Sequence, residues 1–258
     1  MSKWREHAGR GGCLCIGHRG AAKLAPQNTL RAFQRAIDLG VDAVELDVRW
    51  TRDRQLVVIH DEDVANSTNG QGFVRDCALA DLLRLDAGEG ERIPTLAEAL
   101  DFIKGKSLIV LDLKLLDYEA EVVQMVKKVA VEADTLVCSL LPENLRRVRS
   151  LAPGLFTAIS YPEDTGGASA KPYLSGAVSL ALAAMRATMP WRISRMVRSA
   201  QADGTMLYHR LLTPAVVEAV HRQGWFIGAW TVDTEEGIAR MRGMHVDSIT
   251  SNRPDLLN

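Results

Sequence analysis

Residues 43–60 read AVELDVRWTRDRQLVVIH, and this stretch decides the fold. Its first part, residues 43–48, has the length and the apolar content of a buried strand. Glu45 and Asp47 are two positions apart within that strand, so their side chains point to the same side of it. A strand with acids on one side and apolar side chains on the other fits a barrel wall that is polar at its mouth.

The second part of the stretch, residues 56–60, also has a strand pattern, and seven residues separate it from Val48. A parallel crossover requires about a dozen residues or more. We therefore predict that this segment returns antiparallel through a turn at residues 52–55. The register expected from a four-residue turn pairs Thr51 with Leu56, Arg49 with Val58, and Asp47 with His60.

Strand and helix patterns alternate along the rest of the chain, which is typical of a parallel sheet. Eight such units in 258 residues predict an α/β fold, a (β/α)8 TIM barrel, in which the antiparallel hairpin follows the second strand. An open doubly wound sheet is the alternative, but no G-x-G-x-x-G motif opens a helix after the first strand. The predicted barrel strands are residues 13–18, 43–48, 108–114, 135–140, 155–160, 205–208, 225–231 and 247–251. The helical patterns are residues 28–39, 96–103, 118–131, 143–151, 214–223 and 234–241.

Residues 161–204 are long for a single connection, so we expect extra helical structure near residues 174–187 and 191–200. Arginines interleaved with apolar residues predict a basic, partly amphipathic patch there, and weak contact with a membrane surface stays open. We find no interdomain linker and predict a single domain over residues 1–258. The arginines are Arg186, Arg192, Arg195 and Arg198.

The composition excludes several classes of protein. Lysine and arginine total 31 and aspartate and glutamate 32, so no overall charge attracts this chain to nucleic acid. Four cysteines are too few for a disulfide scaffold and indicate reduced, structural thiols. Residues 1–12 lack the apolar core of a signal peptide, and we see no apolar run long enough to span a bilayer. We expect a cytoplasmic protein, and its oligomeric state is left open.

Polar residues end the first three predicted strands, at the edge of a barrel where active sites form. Three converging carboxylates would repel one another and raise one another's pKa, and a divalent cation removes that penalty. Carboxylate oxygens suit Mg²⁺ or Ca²⁺. Two nearby histidines add side chains that exchange protons near neutral pH. These residues are His18 and Arg19 after the first strand, Glu45 and Asp47 on the second, Asp112 and Lys114 on the third, and His60.

Several different short motifs are spread between residue 18 and residue 255. They are His18-Arg19-Gly20, Pro26-Gln27-Asn28-Thr29, Glu45-Leu46-Asp47-Val48, Thr51-Arg52-Asp53, His60-Asp61, Asp112-Leu113-Lys114, Trp230-Thr231-Val232, Asp247-Ser248-Ile249-Thr250 and Pro254-Asp255. This series resembles the signature of the glycerophosphodiester phosphodiesterase family over nearly the whole chain. The resemblance implies a (β/α)8 barrel with about residues 50–91 inserted after the second strand. It also implies metal-dependent hydrolysis of a small-molecule glycerophosphodiester to sn-glycerol 3-phosphate and an alcohol.

The resemblance also implies roles for individual residues. The acid–base pair is His18 and His60, the metal ligands are Glu45, Asp47 and Asp112, the phosphate contact is Arg19, and the basic residue of the third-strand motif is Lys114. Trp230 ends the seventh predicted strand and is a candidate wall of the glycerol pocket.

Two positions depart from the family pattern. Gln27 stands where relatives usually carry glutamate, so we expect a metal to be held more weakly. Asp112 stands where they usually carry glutamate, and its carboxylate reaches about 1.5 Å less far, the length of one C–C bond.

Several alternatives stay open at this point. One alternative is that Lys114 pairs with Asp112 instead of binding phosphate. The sequence does not assign the acid and the base, and either the glycerol 2-hydroxyl or water is the nucleophile. The other functions considered are cleavage of lysophospholipids in the manner of a lysophospholipase D, and a barrel that binds phosphodiesters without turnover.

Overall fold

Nine strands form a single sheet in the computed structural model, which describes residues 2–8, 12–162 and 175–257. Eight of the strands are parallel, and the third pairs antiparallel with the second. The strands are β1 (Leu14–Gly17), β2 (Ala43–Trp50), β3 (Leu56–Val58), β4 (Leu108–Leu113), β5 (Thr135–Ser139), β6 (Phe156–Tyr161), β7 (Gly204–Tyr208), β8 (Phe226–Trp230) and β9 (Ser248–Ser251).

The parallel strands close into a barrel because the first strand pairs on both of its edges. β1 lies beside β9 on one side and beside β2 on the other, where Ile16 is the register partner of Ala43. Closure removes the free edges that an open sheet would leave. The predicted (β/α)8 barrel is therefore confirmed, and the open doubly wound alternative is wrong.

Helices follow the strands and cover the outside of the barrel. Their buried faces carry mostly aliphatic side chains, which pack on the outward side chains of the strands in one large apolar cluster. The helices are α1 (Leu30–Asp38), α2 (Leu79–Leu82), α3 (Leu96–Ile103), α4 (Glu119–Val129), α5 (Pro142–Leu151), α6 (Ser175–Ala200), α7 (Pro214–His221) and α8 (Glu235–Gly243).

A second apolar cluster fills the inside of the barrel at the amino-terminal ends of the strands. Trp4 lies in a short 3-10 helix before β1 and is fully buried there. Its ring meets Phe226, the first residue of β8, edge-on at 5.8 Å between centroids. Its Nε1 donates a hydrogen bond of 2.9 Å to the carbonyl of Asp134. Trp4 therefore closes this end of the barrel, and the opposite end carries the polar residues.

β2 is longer than its neighbours and continues past the barrel into a hairpin with β3. The observed register pairs Arg49 with Val57 and Trp50 with Leu56, so the predicted register is wrong by one residue. The turn has three residues instead of four, because the Thr51 amide donates to the Gln55 carbonyl at 3.0 Å.

The last residue of this turn explains the difference. Arg54 has a φ of 60°, a left-handed conformation that closes a three-residue loop. Such a conformation is uncommon for a residue other than glycine, asparagine or aspartate, so the sequence gives little sign of it.

The chain between β2 and α3 forms a small layer beside the barrel. It contains β3, α2 and two short 3-10 helices, with its own apolar cluster. That cluster buries Val57 and Ile59, the residues that flank Val58 on either side. Burial of this segment fixes the backbone that leads into His60.

The expected extra helical structure is present as one continuous helix, α6, from Ser175 to Ala200. Pro190 lies inside it, where the missing N–H costs about 3 kcal/mol. The helix continues because Met189 and Ile193, on either side of the proline, are fully buried against the barrel. Residues 163–174, which include the beginning of the predicted extra segment, lie outside the described residues.

Candidate active site

A cavity of about 390 Å³ opens at the carboxyl ends of the barrel strands. It brings together residues from both ends of the chain. Seven of the predicted site residues line it: His18, Arg19, Glu45, His60, Asp112, Lys114 and Trp230. The eighth, Asp47, lies fully buried next to them on β2.

The turn after β1 places the first two of these residues over β2. Arg19 and Gly20 have φ values of 51° and 81°, and the Gly20 amide donates to the Glu45 carbonyl at 3.3 Å. A Cβ at Gly20 would lie 2.5 Å from the backbone of Ala32, so a side chain cannot fit. The glycine of the His-Arg-Gly motif thus permits the close approach of this turn to helix α1.

Three carboxylates from two neighbouring strands form the acidic part of the site. Asp47 and Asp112 are register partners of β2 and β4, and Glu45 lies two residues before Asp47. One carboxylate oxygen from each residue lies within 4.8 Å of the other two. The parallel register of β2 and β4 therefore brings together the acids that the sequence predicted.

Two basic side chains lie among these carboxylates. Lys114 Nζ is 2.8 Å from Asp47 Oδ1 and also forms an ion pair with Asp112. Arg19 Nε is 3.3 Å from Asp47 Oδ2, and its backbone amide donates to Glu45 Oε2 at 2.8 Å. The pairing of Lys114 with Asp112, which the sequence left open, is thus present in the structure.

Burial and charge act differently on the members of this cluster. Burial, followed by the charges of Asp47 and Asp112, raises the pKa of Glu45 well above its usual value. Burial alone would raise the pKa of Asp47, but the nearby Lys114 and Arg19 outweigh it and lower that pKa. Burial likewise opposes the charge of Lys114, yet Asp112 and Asp47 raise its pKa. Two basic side chains thus face three carboxylates, and Glu45 is the carboxylate whose negative charge they offset least.

The donor set fits a hard divalent cation. Oδ1 of Asp112 is buried and has no hydrogen-bond partner in the part of the chain that the structure describes. An orphaned carboxylate oxygen of this kind costs free energy unless a cation or water meets it. Three carboxylates without a cysteine or histidine ligand favour Mg²⁺ or Ca²⁺ over softer metals.

His18 is held by a chain of two hydrogen bonds. Its Nδ1 lies 2.7 Å from Oδ1 of Asn252, and Asn252 Nδ2 donates to Asp233 Oδ2 at 2.7 Å. The Asp233 carboxylate accepts from the amide NH₂ group, which leaves the amide oxygen of Asn252 facing the imidazole. Nδ1 of His18 must then carry the proton. Burial, and after it the charge of Arg19, lowers the pKa of His18 to about 3, so this imidazole is neutral near pH 7.

His60 is held differently, beside a carboxylate. Its Nδ1 lies 3.0 Å from Asp61 Oδ1, and its carbonyl accepts a hydrogen bond of 2.8 Å from Arg49 Nε. The hydrogen bond with His60 is the main cause that lowers the pKa of Asp61, so the carboxylate is ionised near pH 7. The ring of His60 is about one-third exposed, with 34% of its side-chain surface accessible.

The comparisons with known proteins agree with this geometry. Residues 18–256 match the glycerophosphoryl diester phosphodiesterase family. A glycerophosphodiester phosphodiesterase of Caldanaerobacter subterraneus subsp. tengcongensis is 34% identical over 257 residues, which cover 95% of this chain and 96% of that protein. This chain belongs to the glycerophosphoryl diester phosphodiesterase family.

Solved structures share the fold of this family member. The crystal structure of the glycerophosphodiester phosphodiesterase from Agrobacterium tumefaciens superposes with a TM-score of 0.77 at 27% identity, covering 95% of this chain and 98% of that one. A phosphodiesterase of Oleispira antarctica, solved in complex with the product sn-glycerol 3-phosphate, gives a TM-score of 0.76 at 23% identity over 94% of each chain. The predicted family and the prediction of an enzyme of this family are therefore confirmed.

Gln27, where this family member departs from the expected pattern, lies outside the acidic cluster. Its Oε1 accepts a hydrogen bond of 2.5 Å from Arg19 Nη1. The side chain that replaces the expected glutamate thus contacts the arginine and not the carboxylates.

Three site residues were not assigned a role from the sequence. Asn28 is buried at a φ of 59°, and its Nδ2 donates to Asp47 Oδ2 at 2.7 Å. It fixes the orientation of the Asp47 carboxylate. The Pro-Gln-Asn-Thr motif, which contains Asn28, is the feature of the sequence that pointed to this residue. Asn252 and Asp233 orient His18, but they lie near the end of the chain and no spacing rule links them to it.

Trp230 lies where the sequence placed it, at the end of β8 and in the cavity wall. Its Nε1 donates to the carbonyl of Met206 at 2.9 Å, which fixes the ring. Leu140, Leu141 and Pro162 add apolar surface to the cavity lining. Among the described helices, none is long and apolar enough to cross a membrane. The cytoplasmic location stays a prediction.

Proposed function

We propose that this chain hydrolyses glycerophosphodiesters to sn-glycerol 3-phosphate and an alcohol, with a divalent cation, Mg²⁺ or Ca²⁺. The observation that carries the proposal is the cavity itself, where two imidazoles border a cluster of three carboxylates. Membership of the family supports the reaction class. The product bound in the Oleispira antarctica protein is the one that this reaction would release.

Glu45, Asp47 and Asp112 would hold the cation, since their carboxylates converge and Asp112 Oδ1 has no hydrogen-bond partner among the described residues. The cation supplies positive charge that offsets the charge developing on the phosphate and lowers the pKa of a bound hydroxyl group. Asn28 keeps Asp47 in the required orientation through its hydrogen bond to Oδ2.

His18 is the proposed general base. Its Nδ1 proton is committed to Asn252, so the free lone pair is on Nε2. Nε2 lies 3.9 Å from Glu45 Oε2, on the side of the ring that faces the acidic cluster. Burial keeps the ring neutral, and a neutral imidazole accepts a proton from the attacking hydroxyl.

His60 is the proposed general acid. Its Nδ1 lies 3.0 Å from the Asp61 carboxylate, so Nε2 is the ring nitrogen left to pass a proton to the leaving group. The ring is 34% exposed, so solvent reaches it. His60 then protonates the oxygen of the leaving alcohol, and the phosphate stays with the glycerol.

Arg19 and Lys114 would contact the phosphate, because both line the cavity and both carry positive charge. The planar guanidinium of Arg19 suits two phosphate oxygens at once. Trp230 would pack against the glycerol carbons, since its ring lies in the cavity wall and its N–H is already satisfied by Met206.

The second candidate is lysophospholipase D-like cleavage of lysophospholipids, in which the bond between the phosphate and the headgroup alcohol is hydrolysed while the glycerol carries an acyl chain. The apolar lining residues Leu140, Leu141 and Pro162 favour it. A non-catalytic barrel has no comparable support, because both histidines lie at the cavity.

Product release from a panel of diesters tests these proposals. Purified enzyme with Mg²⁺ or Ca²⁺ is incubated with glycerophosphocholine, glycerophosphoethanolamine or lysophosphatidylcholine. Release of glycerol 3-phosphate from the small diesters supports the first proposal. A clear preference for lysophosphatidylcholine replaces it with the second, and no turnover with any diester and metal rejects both.

A further inference from the structure

Helix α6 carries an apolar stripe on its solvent side. The two ends of the stripe are large and strongly exposed: Leu180 is 74% exposed and Trp191 is 79% exposed. Ala184 and Ala187 lie between them at spacings of four and three residues, and both are exposed. Residues at this spacing share one face of a helix.

The opposite face of the same helix is already packed on the barrel. Met189, Ile193 and Val197 are fully buried there, so the stripe is not needed for folding. A helix with apolar residues on both faces, one of them in water, is unusual for a soluble domain, and exposed apolar patches of this kind mark interaction surfaces.

Positive charge surrounds the stripe. Residues 175–200 contain four arginines and no aspartate or glutamate. Arg186 and Arg192 are exposed on either flank of the stripe, and Arg195 is exposed one turn beyond Trp191. A surface with this charge fits an anionic partner and disfavours a second cationic surface.

A groove beside the stripe adds a place for an anionic group. Arg186 of α6 and Arg210 of the 3-10 helix after β7 both line it, together with Ala183, Ala187 and Pro190. The groove has a volume of about 510 Å³, and no acid lies among its lining residues. Two guanidinium groups beside an apolar ridge suit a phosphate whose substituents are apolar.

The surface lies at the cavity end of the barrel. Arg192 donates to the hydroxyl of Tyr161 at 3.3 Å, and Tyr161 is the last residue of β6. The next residue, Pro162, lines the cavity. A flat partner that covers the stripe would therefore lie beside the mouth of the site.

We propose that the stripe of α6 and its arginine rim bind the surface of an anionic phospholipid membrane, with Leu180 and Trp191 in the boundary between headgroups and acyl chains. Tryptophan prefers this boundary because its ring is apolar and its N–H is polar. The arginines contact lipid phosphates. The binding is peripheral and brings the cavity mouth to the membrane, where diesters with a lipid alcohol reside.

Sedimentation with vesicles tests this binding independently of any activity. The wild-type chain is mixed with vesicles of phosphatidylcholine alone, or with about 30 mol% phosphatidylglycerol added. We expect it to sediment with the anionic vesicles and to be released by added salt, which screens the arginines. The double variant Leu180→Ser/Trp191→Ser should lower the partition constant about tenfold or more, because the apolar contacts are lost. The double variant Arg186→Gln/Arg195→Gln should lower it about fivefold for each charge.

Two control variants separate this effect from general surface changes. Leu151→Ser removes an exposed apolar side chain at the end of α5, on the opposite end of the barrel, and should bind as the wild type does. Trp191→Phe should keep vesicle binding and lose the blue shift of tryptophan emission that the wild type shows on vesicles. All four variants should keep wild-type turnover of a small diester, since none of these residues lines the cavity.

Three outcomes would overturn the proposal. The first is a wild-type chain that does not sediment with anionic vesicles. The second is Leu180→Ser/Trp191→Ser binding as strongly as the wild type. The third is a dimer, seen by analytical ultracentrifugation, that this double variant abolishes while vesicle binding is absent, because a second copy would then cover the stripe.

Discussion

Nδ1 of His18 lies 2.7 Å from Oδ1 of Asn252, although the two residues are 234 positions apart in the chain. Closure of the barrel makes this contact, since β1 and β9 are neighbours and His18 and Asn252 directly follow them. The amide of His18 also donates to the carbonyl of Ser251 at 2.9 Å. The first and last strands together therefore set the orientation of an imidazole at the cavity.

Asn252→Ala should weaken catalysis by removing that orientation. We expect kcat to fall about 10- to 100-fold, as for other residues that orient a functional side chain, with a smaller change in KM. Steady-state kinetics with glycerophosphocholine measure both. Asn69→Ala is a matched control, because Asn69 accepts a backbone hydrogen bond from Asp86 in the layer beside the barrel. Wild-type kcat in Asn252→Ala would show that this contact does not support turnover.

Replacing either histidine with alanine should lower kcat by at least about 10², the usual effect of losing a proton-transfer group. His221→Ala serves as the control, since His221 pairs with Asp247 at 3.1 Å outside the cavity. Circular dichroism of each variant checks that the barrel is intact. Near-wild-type turnover in both His18→Ala and His60→Ala would refute the acid–base assignment.

Gln27→Glu should strengthen metal binding. A carboxylate at this position would pair with Arg19, which now lies 3.3 Å from Asp47, and would leave Asp47 freer to bind a cation. We expect the metal concentration for half-maximal activity to fall by about 2- to 10-fold, the size of a modest Coulombic change near a surface. Titration calorimetry with Ca²⁺ gives a second reading. Gln55→Glu is the control, and unchanged or weaker binding in Gln27→Glu would contradict this account.

Glu98→Gln should destabilise the chain at neutral pH. Thr95 and Glu98 form a capping box at the start of α3, and loss of such a cap costs about 1 kcal/mol. The pairing with Arg92, opposed by partial burial, lowers the pKa of Glu98 from 4.5 to about 2. Because the folded-state pKa is depressed, the stabilisation is complete above pH 4.5 and is lost as the pH falls through about 2.

Thermal unfolding of the wild type and Glu98→Gln at several pH values checks this dependence. The difference in Tm should be largest above pH 5 and should shrink toward pH 2. The side chain is 40% exposed, so solvent screening keeps the ion-pair share of the effect small. Glu132→Gln, outside the cap, is the control. A Tm difference that stays constant down to pH 2 would show that the charge of Glu98 has no part in the cap.

The sequence was sufficient to predict the barrel and the acidic cluster. Alternating strand and helix patterns limit the topology to very few folds, and a two-residue spacing places Glu45 and Asp47 on one side of β2. The parallel register then brings Asp112 beside Asp47 without further information.

Other features depend on contacts that no local pattern reports. The hairpin register follows from the left-handed conformation of Arg54, which arginine adopts rarely. The continuity of α6 through Pro190 depends on burial of its neighbours, which overrides local propensity. The role of Asn252 depends on barrel closure, so it became visible when β1 and β9 were seen side by side.

Release of glycerol 3-phosphate from glycerophosphocholine, before and after removal of divalent cations, tests the central claim most directly. We expect EDTA to abolish release, and added Mg²⁺ or Ca²⁺ to restore it in the wild type but not in Glu45→Gln, which keeps the shape of the side chain and loses its charge. Full turnover in the presence of EDTA, or wild-type turnover by Glu45→Gln, would contradict a hydrolysis supported by a cation on Glu45, Asp47 and Asp112.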